Sequence, residues 1–200
     1  MLELQFQKFL EHFPPRDEPQ KADPELLERY RDLVPPGLLE LWQHAGFGFY
    51  SDGFLQLIQP DEYHEVLCGW LLRDPDPERV PFMMTAFGTL IYYRMLARDP
   101  EGKIVAEDVA YLEPHHRDSS VLSWSLEGVF NDALGEDDAL SDFYRRDGFG
   151  DARALYGPLN PDEIYFYRLP LALGGAENLE NLTKGDARVQ LEILLQLALG

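Results

Sequence analysis

The constraint on the fold comes from the middle of the chain, where the hydrophobic period changes. "FMMTAFGTLIYYRMLA", residues 82–97, and "KIVAEDVAYLEP", residues 103–114, are dense in β-branched and aromatic side chains, which suit a pleated, half-buried surface. Between them stands "RDPEG", whose Pro and Gly supply the φ values of a tight turn, so this stretch reads as a β-hairpin. The flanks read differently. Leu2, Phe6, Phe9, Leu10 and Phe13 recur at helical spacing until Pro14-Pro15 ends the run. "PELLERYRDLVP" is a second helix with Asp23 as its cap and Pro24 in its first position. "PPGLLELWQHAG" is a third, with Leu38, Leu41, Trp42 and Ala45 as its apolar stripe and Gly46 as its stop. "GFLQLIQ" is a strand, and Asp61 is expected to cap a helix over about Glu62–Leu72. "RDPDPERVP" is a proline-stiffened loop.

Beyond the hairpin, "SLEGVFNDALGEDDALSDFYRRDGF" reads as helix, acidic turn and helix. "DEIYFYRLPLAL" is a strand or strand pair, and "DARVQLEILLQLAL" is a closing amphipathic helix. Helices, then strands, then helices predict an α+β fold with a mostly antiparallel central sheet rather than regular βαβ units. The polar "HHRDSS" places a lobe boundary near residue 118, dividing the chain into 1–118 and 119–200 around a shared core.

Charge narrows the function. With 36 acidic against 17 basic residues, the formal net charge is −19. Such a surface repels nucleic acid and anionic membranes, because phosphate binding needs clustered Lys and Arg. It keeps the chain soluble, and it attracts a basic partner. The single cysteine, Cys68, excludes an internal disulfide and a multi-cysteine zinc site. It lies on an amphipathic helix with His64 four residues earlier, where a lone thiol usually packs as a small apolar group. "MLELQFQKFLEHF" lacks the basic start and continuous apolar core of a signal peptide, and no apolar run approaches a bilayer span. A cytoplasmic protein is expected.

The motifs that carry chemistry fail one by one. "WQHAGFGFYSDGF" holds three glycines and five aromatics in thirteen residues, but Ser51 stands where a dinucleotide fingerprint needs its last glycine. His115, His116, Asp118, Ser119 and Ser120 gather the residue types of a hydrolase. Yet triad members meet in space rather than in sequence, and no G-x-S-x-G elbow occurs. The run "NDALGEDDALSD" and the segment "DPEGKIVAEDVA" both miss the ligand spacing of a calcium loop. No cofactor is implied. What remains is acidic surface. Glu136, Asp137, Asp138 and Asp142 share one connection, and Asp74, Asp76 and Glu78 share the proline-rich loop. Both are candidate docking sites for a basic protein. The first is favoured because Arg73 and Arg79 partly neutralise the second.

"LLELWQHAGFGFYSDGFLQLIQPDEYHEVLCGW" with "TAFGTLIYY" resembles the bacterial GAD-like family. "GPLNPDEIYFYRLPLALGGAENLENLTKGDARVQLEILLQL" resembles the domain that follows it in immunity proteins of type VI secretion DNase effectors. Together the two similarities cover about residues 5–198, in an order more specific than either alone. Proteins of this kind are similar to the SUKH group, where a helix-borne Trp precedes a glycine turn, as Trp42 precedes Gly46 here. The resemblance implies a GAD-like lobe, an immunity-protein lobe and a non-enzymatic inhibitor. It is expected to be monomeric when free and to bind a cognate basic DNase toxin domain one to one. An acidic interaction module with an endogenous regulatory partner is the alternative, and a toxin gene beside this one separates the two.

Overall fold

The computed structural model describes residues 3–134 and 146–200. Three helices come first: α1 (Leu4–His12), α2 (Pro24–Tyr30) and α3 (Pro36–His44). A hairpin of β1 (Gly48–Tyr50) and β2 (Leu55–Leu57) leads into α4 (Pro60–Trp70). The central strands are β3 (Arg79–Thr85), β4 (Leu90–Arg98), β5 (Ile104–Glu113) and β6 (Asp118–Ser123). A short α5 (Leu126–Gly128) runs into a π-helical turn at Val129–Ala133. The chain then forms α6 (Arg146–Tyr156), β7 (Glu163–Tyr167), β8 (Leu182–Asp186) and α7 (Ala187–Leu199).

The six strands β1 to β6 pair in sequence order, all antiparallel, and β7 and β8 form a separate two-stranded sheet. The fold is therefore α+β. The expected division at residue 118 falls at the first residue of β6, just past the β5–β6 turn, and β6 stays hydrogen-bonded to β5 across it.

Helices cover both faces of the large sheet. On one face Phe6, Phe9, Leu38, Leu41, Trp42 and Phe130 pack with Val80, Phe82, Ile91, Tyr93 and Val109. On the other, Tyr63, Val66, Leu67 and Leu191 from α4 and α7 pack with Met84, Leu90, Tyr92, Ala110 and Leu112. The smaller sheet locks onto the larger one where the Tyr165 N–H donates to the Ala86 carbonyl at 2.8 Å. In β3 the register shifts just past Pro81, whose missing N–H suits a bulge rather than a regular ladder.

The glycine-aromatic stretch serves this architecture. Gly46 ends α3 at φ +87°, and a Cβ there would meet the Gln20 carbonyl oxygen at 2.6 Å, so only glycine lets the two backbones approach. The Tyr50 hydroxyl then reaches back to the Gly46 carbonyl at 2.9 Å. Gly53, at φ +99°, closes the β1–β2 turn. The three-residue β1 is an addition to the sequence reading.

Two local expectations change. The turn "AFGT" divides residues 82–97 into β3 and β4. Asp61 does not cap α4, which begins at Pro60 with Gln59 in the cap position and no capping side chain. Instead its carboxylate accepts hydrogen bonds from Arg29 and from the Tyr30 hydroxyl, the latter at 2.7 Å, tying α2 to α4. Asp23 does cap α2, accepting from the Leu26 N–H at 2.7 Å, and Asp186 caps α7 through Val189 at 2.8 Å.

Candidate partner-binding surface

The two acidic segments singled out in the sequence meet different fates. Glu136, Asp137, Asp138 and Asp142 lie outside the described residues. Asp74, Asp76 and Glu78 lie in the α4–β3 connection, with Asp74 and Glu78 exposed. Asp76 faces inward. Its carboxylate accepts from the Glu78 N–H at 3.0 Å and pairs with Arg79 at 3.1 Å, while its carbonyl accepts from His64 Nε2 at 2.8 Å. It shapes the loop, while Asp74 and Glu78 face solvent.

The hydrolase residues are dispersed. Tyr111 pairs with Ser120 across the β5–β6 ladder and donates its hydroxyl to Asp118 at 2.5 Å, so Asp118 points to that face. Ser119 points to the opposite face, its Oγ 3.5 Å from the Tyr92 hydroxyl. His115 is buried edge-on against Tyr167 with ring centroids 5.1 Å apart, and His116 contacts Glu113 at 2.8 Å and Glu177 at 3.2 Å. Alternation along one strand thus separates the would-be acid from the would-be nucleophile. Cys68 is buried with Sγ 3.7 Å from His64 Nε2, a nitrogen whose proton serves the Asp76 carbonyl. Among the described residues, no group of three or more His, Cys, Asp or Glu side chains is placed to hold a metal ion. No helix among them is long and apolar enough to cross a membrane.

The structure assembles an acidic groove that no local stretch of sequence contains. Its cavity, about 210 Å³, has a floor of Phe47, Phe49, Leu57 and Ile58 from the β1–β2 hairpin and the residues on either side of it. The rim carries Asp17 and Glu18 from the segment after α1, Glu62 from the first turn of α4, and Asp162 from the turn before β7. Backbone hydrogen bonds hold that first segment to β1 at Arg16–Phe49 (2.8 Å) and Gln20–Phe47 (2.7 and 2.8 Å). Residues 17–19 form a strap between these ties, so that the five residues 16–20 oppose the three residues 47–49. Arg16 pins the strap to the C-terminal half. Its guanidinium lies 4.1 Å from the Phe49 ring centroid and donates to the Leu159 carbonyl at 2.9 Å. Gln56 adds a second tie, donating to the Glu163 carbonyl at 3.0 Å.

Like charges crowd this groove. Burial, then the Asp162 carboxylate, pushes the Glu62 carboxyl above its ordinary range; Arg188 opposes the shift and Asp61 adds to it. Burial and Asp186 raise Asp162 against the same Arg188. A carboxyl whose folded pKa exceeds its unfolded value binds protons better in the folded state, so it destabilises when ionised. For Glu62 and Asp162, folding is therefore favoured as pH falls from neutral through their raised pKa values. Glu163 behaves oppositely. Although burial alone would raise it, hydrogen bonds from Asn160 and the nearby Lys184 hold it below its ordinary value, so its stabilisation is lost on acidification.

A helical layer, a six-stranded antiparallel meander and a docked C-terminal hairpin and helix thus enclose an acidic groove between the two halves of the chain. Residues 4–99 match the GAD-like domain family, and residues 126–198 match the family of the C-terminal domain of the type VI secretion immunity protein Tdi1. The chain is thus similar to a GAD-like domain followed by a Tdi1-type C-terminal domain, and the second match supports an immunity protein of type VI secretion. Among solved structures, Atu4351 from Agrobacterium tumefaciens shares the fold with a TM-score of 0.72. That alignment covers 96% of this chain and 88% of the other at 19% identity, a likeness of fold alone. No curated protein is significantly similar in sequence.

Proposed function

We propose that this protein neutralises one cognate DNase toxin delivered by type VI secretion, binding the toxin domain and covering its DNA-binding or active site. The observation that carries this reading is the Tdi1-type C-terminal match directly after a GAD-like domain. Charge supplies the mechanism. A nuclease holds DNA phosphates with basic residues, and a chain of net charge −19 presents the complementary potential. Long-range attraction speeds encounter, and a few buried anchors then slow release. The protein acts in the cytoplasm without a cofactor or catalysis of its own, as a monomer that forms a one-to-one complex.

Glu136, Asp137, Asp138 and Asp142, with Asp74 and Glu78, are proposed to steer this encounter. Asp76 stays out of the test because reversing it would break its pair with Arg79. Replacing the 136–142 cluster by Lys should slow association with the DNase domain about tenfold or more at low salt and flatten its dependence on ionic strength. The same change at Asp74 and Glu78 should act in the same direction, less strongly. Stopped-flow association rates at several ionic strengths, on variants whose unfolding midpoint matches the parent, measure this. Unchanged rates and salt slopes in both variants would remove these segments from the encounter surface.

A further inference from the structure

We propose that the groove beneath the 17–19 strap receives an arginine or lysine side chain of the toxin. The inference rests on the immunity-protein reading and adds the place where the partner is held. The floor is apolar: Phe47, Phe49, Leu57 and Ile58 are each 6% exposed or less, so they form a shaped surface rather than loose side chains. An aliphatic stem lies on such a surface while its charged head stays at the rim.

The rim is anionic and unsatisfied. Among the described residues, the carboxylates of Glu18, Glu62 and Asp162 have no hydrogen-bond or ion-pair partner, and Asp17 pairs with Arg16 at 2.7 Å. Burial raises both Glu62 and Asp162, with the Asp162 carboxylate adding to the first, Asp186 adding to the second and Arg188 opposing both. An arriving cation relieves that repulsion and gains charge-assisted hydrogen bonds. The free protein is less stable for holding these carboxylates together, a trade expected where binding rather than folding sets the sequence. Anionic ligands are excluded by the same charges, and a second copy of this chain brings another −19. A basic side chain is the occupant that fits both floor and rim.

The groove also needs little rearrangement to accept it. Arg16 and Gln56 clamp the strap and the hairpin to the 159–163 segment, so the wall from the GAD-like half and the wall from the C-terminal half are fixed relative to each other. Pre-organisation of this kind lowers the ordering cost of docking. It also gives the tandem arrangement a role, because neither half alone supplies the whole rim.

The test uses the full chain, the double variant Glu62→Gln/Asp162→Asn and, as control, Glu101→Gln in the exposed β4–β5 turn. Two partners are titrated: the proposed cognate DNase toxin domain, and N-acetyl-arginine amide followed by amide NMR shifts. The double variant should bind the DNase domain about tenfold or more weakly. At neutral pH it should also unfold at a higher denaturant concentration than the parent, with a flatter pH profile on mild acidification. The control should match the parent. Weaker binding together with higher stability is a pair of results that a merely structural role cannot produce. Equal affinity of parent and double variant for the DNase domain overturns the groove and leaves the immunity reading standing. If the parent does not bind that domain, the reading fails and the arginine titration decides the groove. Shifts at Gly48, Glu62 and Asp162 that vanish in the double variant keep it as a cation receptor; an unperturbed spectrum removes it.

Discussion

Trp42→Ala is expected to lower the folding free energy by about 3–5 kcal/mol, the range for truncating a large buried aromatic. Trp42 is fully buried on α3, with the Tyr30 ring 5.6 Å away in a T-shaped contact at 87° and the Phe47 ring 5.9 Å away. It therefore joins α2, α3 and the segment leading into β1, and an alanine would leave a cavity that these elements cannot close without shifting. Its indole nitrogen is buried without a hydrogen-bond partner among the described residues, so the side chain acts through volume and ring contacts. Trp42→Phe should accordingly lose less, about 1–2 kcal/mol. Urea unfolding at constant m-value measures both. An unchanged midpoint for Trp42→Ala with lost toxin binding would move this residue from the core to the interface.

Arg94→Met is expected to have an effect of similar size for an electrostatic reason. Arg94 and Asp108 face each other across β4 and β5, and the guanidinium meets both carboxylate oxygens, with Nε 2.5 Å from Oδ1. Asp108 is only 1% exposed, so losing Arg94 leaves a buried carboxylate without its counter-ion, a loss of about 3–5 kcal/mol. Replacing both partners with apolar residues, Arg94→Met/Asp108→Leu, should recover much of that stability, because no charge then remains to be solvated. Denaturant unfolding of the single and double variants near neutral pH separates the terms. Equal losses in both would assign the effect to packing instead of the stranded charge.

These two sites show unevenly how the chain can be read. Trp42 was legible because α3 has a complete local grammar: prolines at its start, an apolar stripe and a glycine stop. The same holds for α7, whose Asp186 cap and leucine-rich period are contiguous in sequence. The Arg94–Asp108 pair was not legible, since its partners are separated by a hairpin whose register only the fold determines. Asp61 misled for a related reason. Its position before an apolar period suggests a cap, but Arg29 and Tyr30 compete for the carboxylate from another helix. Strand β1 escaped notice because three residues are too few for alternation to declare itself. The groove is the extreme case. Asp17, Glu18, Glu62 and Asp162 belong to three distant parts of the chain, and in a sequence with 36 acidic residues none is distinctive. What marks them is shared space: one cavity, raised carboxyls at Glu62 and Asp162 and, among the described residues, no partner cation at Glu18, Glu62 or Asp162 beyond the opposing influence of Arg188. The hydrolase reading, by contrast, was weak from sequence alone, and β6 shows why, turning Asp118 and Ser119 to opposite faces.

If this acidic chain silences a DNase by binding it, as proposed, one titration shows it. The proposed cognate DNase toxin domain is incubated with plasmid DNA at about 0.15 M salt, where exposed long-range charge is already screened. The purified chain is then added in increasing amounts. Cleavage is expected to fall in proportion and stop at equimolar protein, with the chain itself neither cutting nor retaining the plasmid. Undiminished cleavage in the presence of excess folded protein would contradict the claim.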